Sequence, residues 1–277
     1  MLQDADIHRL AQQVQAAQDQ VQQIAPLTAT SGGLDLASAY AVAERVHRTR
    51  LRAGAVAVGR KIGFTNAVLW DAYGVRQPMW GWMYAGTQVP VQAQRARCSL
   101  ARFAEPKIEP EIVLHFHSAP PAGVGADGDL AAVLACIDWV AHGFEIVQSH
   151  YPGWKFQAAD TIADGGLHGA LLVGAPLAVA DLGQDGVAAL QSLALVLTCD
   201  GAERDRGRGV NVLGNPLAAI VHLMAVLAAD PQAAPIQAGE TITTGTLTAA
   251  HAVSAGQRWS TTVQGIALPG LTVDFVA

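Results

Sequence analysis

Three glutamates lie at positions where strand geometry could bring their carboxylates close together. Glu109 and Glu111 flank Pro110 in Ile108–His117, a run whose apolar residues alternate as in a β-strand. Residues two apart in a strand share a face, so their Cα atoms should lie about 7 Å apart. A divalent cation such as Mg²⁺ or Mn²⁺, which prefers oxygen ligands, would offset the repulsion between the two carboxylates. A solvated edge strand, which Pro110 would fit, is the alternative, and this pattern alone does not choose between them.

The position of Glu145 favours a metal site over a solvated edge strand. It lies in the short apolar segment Phe144–Val147, where an unpaired carboxylate would be costly to bury. A helix-length segment separates it from Glu111, which allows the two strands to be neighbours in one sheet. We therefore predict that all three carboxylates meet.

The N-terminal residues that precede these strands read as helical. An apolar period of three and four runs from Ile7 to Ile24, and Pro26 ends it. A second helix is predicted to begin after Asp35, a favourable N-cap, and to continue to Arg52. We expect residues 1–54 to form a helical N-terminal region and residues 55–277 to form a β-rich catalytic domain.

The rest of the chain alternates strands with isolated helices. Residues 66–86 read as an irregular loop, and a helix is expected after the Asn215-Pro216 pair. The other segments are predicted helix at 127–141 and predicted strands at 55–64, 144–147, 170–173, 194–198, 241–246, 259–263 and 271–275. This order favours an α+β fold with a mixed sheet.

Composition narrows the classes of function. The 17 basic and 23 acidic residues include no basic run that could follow a phosphate backbone, so nucleic-acid binding is disfavoured. The apolar stretches are interrupted before about 18 residues, so no membrane span is expected. The odd set Cys98, Cys136 and Cys199 predicts buried free thiols in a cytoplasmic protein that shows no signal peptide.

Several ordered motifs resemble the fumarylacetoacetate hydrolase superfamily, and most closely its 2-oxopent-4-enoate hydratase and 4-oxalocrotonate decarboxylase branch. The similarity runs from about residue 35 to the C-terminus. The motifs are Arg60-Lys61-Ile-Gly-Phe-Thr65, Ile108-Glu-Pro-Glu-Ile-Val113, Glu145-Ile-Val, Trp154-Lys155, Asp160-Thr-Ile-Ala-Asp164, Gly214-Asn-Pro216 and Gly239-Glu-Thr-Ile-Thr-Thr-Gly245-Thr.

The resemblance implies a mixed β-roll built around Mg²⁺ or Mn²⁺. By the same resemblance, the metal ligands of this chain would be Glu109, Glu111 and Glu145. It also implies a small 2-oxo acid substrate, a homo-oligomer, and for some members of this group a complex with a sister hydratase or decarboxylase.

Further roles follow from the same resemblance. Lys61 matches the family's active-site lysine, and partial burial would lower its pKa and suit it to proton transfer. His168 stands where hydratases usually carry serine. It could shuttle a proton near neutral pH or be a structural loop histidine. Asp164 is expected in the catalytic set, where it would fix the loop or a ligand carboxylate.

Three residues are expected to contact the substrate. Thr246, at a strand end, could donate from its hydroxyl or backbone N–H to the substrate carboxylate. Lys155 and Phe64 belong to the motifs above and complete the expected binding set.

One residue of this chain departs from the family's pattern at a position that bears on the reaction. Hydratases of this group commonly carry an acidic residue where this chain has Met79, and a thioether cannot move a proton. The leading interpretation is a hydratase-type lyase acting on a 2-oxo-enoate or 2-hydroxydienoate, as in aromatic meta-cleavage catabolism. A decarboxylase of the 4-oxalocrotonate type, an acylpyruvate C–C hydrolase and a non-catalytic partner subunit stay open.

Overall fold

The computed structural model describes residues 2–30, 33–66, 70, 75–230 and 232–277. The helices are α1 (Asp4–Gln20), α2 (Leu27–Thr30), α3 (Leu36–Arg52), α4 (Leu130–Leu134), α5 (Ala158–Ala163), α6 (Gly186–Ser192) and α7 (Pro216–Ala229). The strands are β1 (Ala57–Gly63), β2 (Met79–Tyr84), β3 (Gln88–Pro90), β4 (Arg95–Ser99), β5 (Lys107–Phe116), β6 (Ile137–Val147), β7 (His168–Val173), β8 (Leu177–Ala178), β9 (Ala194–Cys199), β10 (Ala202–Arg208), β11 (Thr241–Thr246), β12 (His251–Ala252), β13 (Arg258–Gln264) and β14 (Thr272–Val276).

Two mixed sheets form the body of the described chain. The larger follows the order β2-β1-β11-β5-β6-β7-β3, with β12 beside β5 and β8 beside β6. The smaller follows the order β10-β9-β13-β14-β4. Apolar side chains of both sheets share the main core, including Ile112 of β5, Leu197 of β9 and Val273 of β14. The α+β prediction is confirmed.

Pro110 lies in a central strand, so the edge-strand interpretation is wrong. Strand β5 has β6 on one side and β11 with β12 on the other. The carbonyl of Pro110 accepts a hydrogen bond from the backbone N–H of Leu247, which lies between β11 and β12. In an extended strand the N and O of one residue point the same way. The missing N–H of Pro110 therefore faces the gap between β11 and β12, where its absence costs the sheet little backbone hydrogen bonding.

Both predicted N-terminal helices are present, and α3 has the predicted bounds. Helix α1 ends at Gln20, where Val21 takes a left-handed φ of 53°, so the predicted end near Ile24 and Pro26 is wrong. The side chain of Asp35 accepts a hydrogen bond of 2.7 Å from the backbone N–H of Ser38, which caps α3. Helices α1 and α3 bury Leu10, Val14 and Val42 in a second apolar cluster. The boundary at residue 54 remains a prediction.

Two predicted segments need correction, and strand β10 was not predicted. The helix expected over 127–141 is only Leu130–Leu134, and Ile137–Val147 is one long strand because it pairs with β5 along its length. The irregular loop expected over 66–86 contains strand β2; residues 67–69 and 71–74 of it lie outside the described residues. Residues 202–208, for which no element was predicted, form strand β10, which pairs with β9.

One segment, Gly209–Ala229, is long and apolar enough by composition to cross a membrane, contrary to our expectation. Its helix α7 buries Leu217, Ile220 and Leu223 in the main core. We therefore describe α7 as a core helix.

Candidate metal and catalytic site

Strand pairing brings the three glutamates together. Glu109 lies directly opposite Glu145 in the antiparallel β5–β6 pair, and Glu111 is two residues further along the same face. Each offers a carboxylate oxygen within 4.8 Å of the others. Glu111 and Glu145 are fully buried and Glu109 is half-buried.

The carboxylate oxygens of this cluster fit a cation. Glu111 Oε2 accepts a hydrogen bond of 2.8 Å from the backbone N–H of Gly245, whereas Glu111 Oε1 is buried without a hydrogen-bond partner among the described residues. Glu145 Oε2 is also buried, and its contact there is the ion pair with Lys61 Nζ at 3.3 Å. Burial raises the pKa of Glu109 to about 7 and that of Glu111 well above its usual range, and the Glu145 carboxylate adds to both shifts. A divalent cation would relieve both the burial of charge and the repulsion.

Lys61 supplies the positive charge beside the cluster. Its ammonium Nζ lies 3.3 Å from Glu145 Oε2 and donates a hydrogen bond of 3.0 Å to the carbonyl of Gly166. Burial acts to lower the pKa of Lys61, but the carboxylates of Glu145, Glu109 and Glu111 outweigh burial and raise it. The expected lowering of this pKa is therefore wrong, because the sequence does not reveal how many carboxylates surround Nζ.

His168 bridges Glu145 and a threonine. Its Nδ1 lies 2.9 Å from Glu145 Oε1, and its Nε2 lies 2.9 Å from Thr87 Oγ1. Burial acts to raise the pKa of Glu145, but Lys61, followed by His168, outweighs burial and lowers it to about 2. Both ring nitrogens are engaged, so this arrangement orients the carboxylate of Glu145. Thr87, in the turn between β2 and β3, carries no sequence signal that could have identified it.

Two of the predicted substrate-binding residues, Thr246 and Phe64, lie near the carboxylate cluster or near Lys61. Thr246 is paired with Glu111 across β11 and β5, so the structure places it next to the cluster. Phe64 is half-buried just after the strand that carries Lys61.

Asp164 and Lys155 have different surroundings. Asp164 accepts a hydrogen bond from Gln18 Nε2 at 2.9 Å and lies 2.8 Å from His150 Nδ1, so neither oxygen is directed to the glutamates. Lys155 is exposed. Lys107 instead lies on the strand face of Glu109, with its Nζ 3.8 Å from the ring centroid of Trp154.

His142 supports the backbone of Glu111 from the opposite side of the sheet. Burial lowers the pKa of His142 to about 4, so the ring is neutral near pH 7. Its Nδ1 lies 3.1 Å from the carbonyl of Glu111, and its Nε2 lies 2.7 Å from Thr261 Oγ1. A carbonyl only accepts, so Nδ1 carries the proton and Thr261 donates to Nε2. The Thr261 oxygen in turn accepts from the backbone N–H of Leu271 at 3.0 Å.

A cavity of about 1240 Å³ lies beside the site rather than at it. Its wall includes Asp164, His168 and Thr87, together with residues of α1, α3 and β2, but none of the three glutamates. The carboxylate cluster therefore defines the candidate chemistry, and the cavity does not.

Comparisons with known proteins agree with this geometry. No protein-family model matches the chain. The chain is 30% identical over 270 residues to a 2-keto-4-pentenoate hydratase of Paraburkholderia phymatum, covering 96% of this chain and 97% of the relative. It is also 30% identical over 258 residues to a 4-oxalocrotonate decarboxylase of Pseudomonas putida, covering 93% of this chain and 92% of the relative.

Solved structures give the same fold. The 4-oxalocrotonate decarboxylase of Pseudomonas putida G7, complexed with magnesium and adipate, has a TM-score of 0.89 and 27% identity, covering 100% of this chain and 99% of that chain. Fumarylpyruvate hydrolase of Pseudomonas aeruginosa has a TM-score of 0.54 and 16% identity, covering 80% of this chain and 90% of that chain, which supports the fold alone. The predicted fumarylacetoacetate-hydrolase-like fold is confirmed.

Proposed function

Because the chain belongs to the family of the 2-keto-4-pentenoate hydratases and 4-oxalocrotonate decarboxylases, we propose that it is a Mg²⁺- or Mn²⁺-dependent lyase that hydrates a small 2-oxo-enoate or its 2-hydroxydienoate tautomer. Aromatic meta-cleavage catabolism is the class of pathway that produces such substrates. The observation that carries the proposal is the cluster of three carboxylates with an ammonium 3.3 Å from one of them.

Glu109, Glu111 and Glu145 are the proposed metal ligands. The support is the meeting of the three carboxylates, the buried Glu111 Oε1 without a hydrogen-bond partner among the described residues, and the raised pKa of Glu109 and Glu111. A bound divalent cation supplies Lewis-acid stabilisation of the negative charge that develops on a substrate ketone oxygen.

Lys61 is the proposed proton carrier. The surrounding carboxylates raise its pKa, and its Nζ is fixed between a carboxylate and a backbone carbonyl. Positive charge added near the glutamates would weaken their hold on the ammonium proton and make Lys61 a better acid. His168 orients Glu145, and it could exchange a proton with the substrate only if one of its two hydrogen bonds opened.

The substrate itself needs a carboxylate contact and an apolar wall. Thr246 is the proposed donor to the carboxylate, because its backbone lies opposite Glu111. Phe64 is the proposed apolar contact. Lys107 is a better placed cation than Lys155, since it lies on the strand face of Glu109 whereas Lys155 is exposed.

Met79 favours a second candidate, a decarboxylase of the 4-oxalocrotonate type. Met79 is buried and pairs with Gly63 across β1 and β2, and a Cβ atom at Gly166 would meet both its Sδ, at 3.5 Å, and Cδ of Lys61. Position 79 therefore offers no proton-carrying group at this end of the site. Hydration must activate a water molecule, whereas loss of CO₂ requires only charge stabilisation and a proton for the carbon that is left.

We also propose a cytoplasmic homo-oligomer in which residues 1–54 contribute to assembly. The three cysteines are free and buried, which suits a reducing compartment. Leu36, Leu51 and Val56 expose large apolar side chains in or next to the N-terminal region.

Turnover of three substrates tests the reaction. The protein with Mg²⁺ should consume 2-hydroxypenta-2,4-dienoate, 4-oxalocrotonate or acetopyruvate, with water addition, CO₂ release or C–C cleavage identified by the product. Turnover of 4-oxalocrotonate alone, with CO₂ release, would replace hydration with the second candidate. No turnover of any of them would contradict the proposal and favour a non-catalytic subunit.

Single substitutions test the metal ligands. Glu145→Gln should abolish the Mg²⁺-dependent rate, because it removes a charge from the cluster while keeping the side-chain volume. Glu203→Gln is the control, since Glu203 is an exposed glutamate paired with Arg206 on β10. Full activity of Glu145→Gln would refute the assignment.

A further inference from the structure

The turn that joins α5 to β7 has a strained backbone. Gly165, Gly166 and Leu167 have φ angles of 62°, 75° and 61°, so three consecutive residues occupy the left-handed region. Glycine adopts this region freely, but leucine does so at a cost that the surrounding structure must offset. Leu167 is buried in the second apolar cluster, which also contains Leu10 of α1 and Val42 of α3.

This turn places two groups of the candidate site. The carbonyl of Gly166 accepts the hydrogen bond from Lys61 Nζ, and His168, one residue beyond the strained segment, contacts Glu145. A change in the turn would therefore move the acceptor of the proposed proton carrier first, because His168 is also held by strand β7, which it begins, and by Thr87 Oγ1.

Two buried aspartates connect the turn and the helix before it to the N-terminal helices. Asp164, which begins the turn, accepts a hydrogen bond from Gln18 Nε2 of α1 at 2.9 Å, and Gln18 Oε1 accepts from Arg50 of α3 at 2.8 Å. Asp160 accepts from the backbone N–H of Thr28 at 2.9 Å and from its hydroxyl at 2.7 Å. These partners lie 146 and 132 positions away along the chain.

The hydrogen bonds of Asp164 leave it no direct role in proton transfer. Its two oxygens are taken by Gln18 and His150, and neither bonds to Lys61 or Glu145. Both aspartates are almost completely buried, at 0% and 3% exposure, so each bond replaces water that the carboxylate has lost.

We propose that Asp160 and Asp164 are positioning residues through which the N-terminal helices hold the Gly165–Leu167 turn in its strained conformation. The helical region then acts on catalysis without contacting the substrate. This inference rests on the proposed function of Lys61, and it assigns to residues 1–54 a role in the active site of the same chain.

Gln18→Met and Thr28→Val test the two anchors, by which we mean the hydrogen bonds from Gln18 to Asp164 and from Thr28 to Asp160. Thr28→Val removes the hydroxyl that donates to Asp160, and Gln18→Met removes the donor to Asp164 together with the acceptor of Arg50. Each keeps most of the side-chain volume. We expect kcat to fall about tenfold in each, the effect of losing one hydrogen bond to a buried carboxylate, with Mg²⁺ affinity unchanged within about twofold. Thr28→Ser keeps the hydroxyl and should have the kcat of the parent protein. Gln12→Met is the matched control, since Gln12 is an exposed glutamine of the same helix.

Hydrogen exchange in the metal-free protein gives a readout that needs no turnover. Amides of residues 160–168 should exchange about tenfold faster in both anchor variants, while amides of strand β5 should not change. Unchanged exchange and unchanged kcat in both variants would overturn the inference. Loss of Mg²⁺ affinity together with kcat would also overturn it, because the anchors would then support the glutamates. Absence of turnover in the parent protein would refute the proposed function, and the exchange result would still decide whether the anchors hold the turn.

Discussion

Replacing Gly166 with alanine should separate the position of Lys61 from the binding of the metal. A Cβ atom at residue 166 would lie 2.6 Å from Cδ of Lys61. Carbon atoms normally pack at about 3.5 to 4 Å, so the lysine side chain must retreat by roughly 1 Å. A displacement of that size at a reacting group costs about 100-fold in rate, which is the expected loss in kcat.

Gly165→Ala is the matched control for the backbone. Gly165 and Gly166 share left-handed φ angles of 62° and 75°, so alanine at either position should cost about 1 to 2 kcal/mol of stability. A Cβ at Gly165, however, meets only Gln18 Nε2, at 3.9 Å, which is an ordinary contact. Its kcat should stay within about threefold of the parent value.

The assay is steady-state turnover of whichever 2-oxo acid the protein consumes, together with calorimetric titration of Mg²⁺. Gly166→Ala should bind Mg²⁺ as the parent does, because the three glutamates lie on strands β5 and β6 and not on the turn. Equal losses of kcat in the two glycine variants would refute the reasoning, since they would trace the effect to the backbone. An unchanged kcat in Gly166→Ala would refute the role of Lys61.

Three further predictions concern stability. Thr261→Val leaves His142 Nε2 buried without its donor and should lower the free energy of unfolding by about 1 to 3 kcal/mol in urea denaturation, whereas Thr261→Ser should change it less. Mg²⁺ at 100 times its Kd should raise that free energy by about 2.7 kcal/mol in the parent protein and not in Glu111→Gln, as measured by thermal unfolding. Hydrogen bonds from Ser38 lower the pKa of Asp35 to about 2, so the cap stabilises the fold above about pH 4 and is lost as pH falls towards 2. Asp35→Ala should therefore cost about 1 kcal/mol at pH 7, and the difference should vanish in acid.

Local patterns were enough to predict the helices and the glutamates. The Asp35 cap and the period of α3 depend on neighbours within one turn, and the shared face of Glu109 and Glu111 depends on a spacing of two. The motifs around Lys61 then placed the chain in a family whose fold the structure has. These features are readable because each is determined by residues close together in the chain.

Features that depend on distant partners could not be read in this way. Ile137–Ala141 fits a helical period as well as a buried strand, and only its pairing with β5 decides for the strand. The pKa of Lys61 depends on carboxylates from two other strands, and the partners of Asp164 include Gln18 from the first helix. Thr87 reaches His168 across 81 positions, which no spacing rule anticipates.

Pro110 has a consequence for how the metal site forms. A proline has no N–H to offer, so β5 cannot slide along its neighbours without placing that gap opposite a carbonyl that needs a donor. We therefore expect the sheet register, and not the arrival of an ion, to bring the three carboxylates together. Binding of the cation orders little new structure, so the metal-free protein should already be a complete receptor, unlike domains that fold only around their metal.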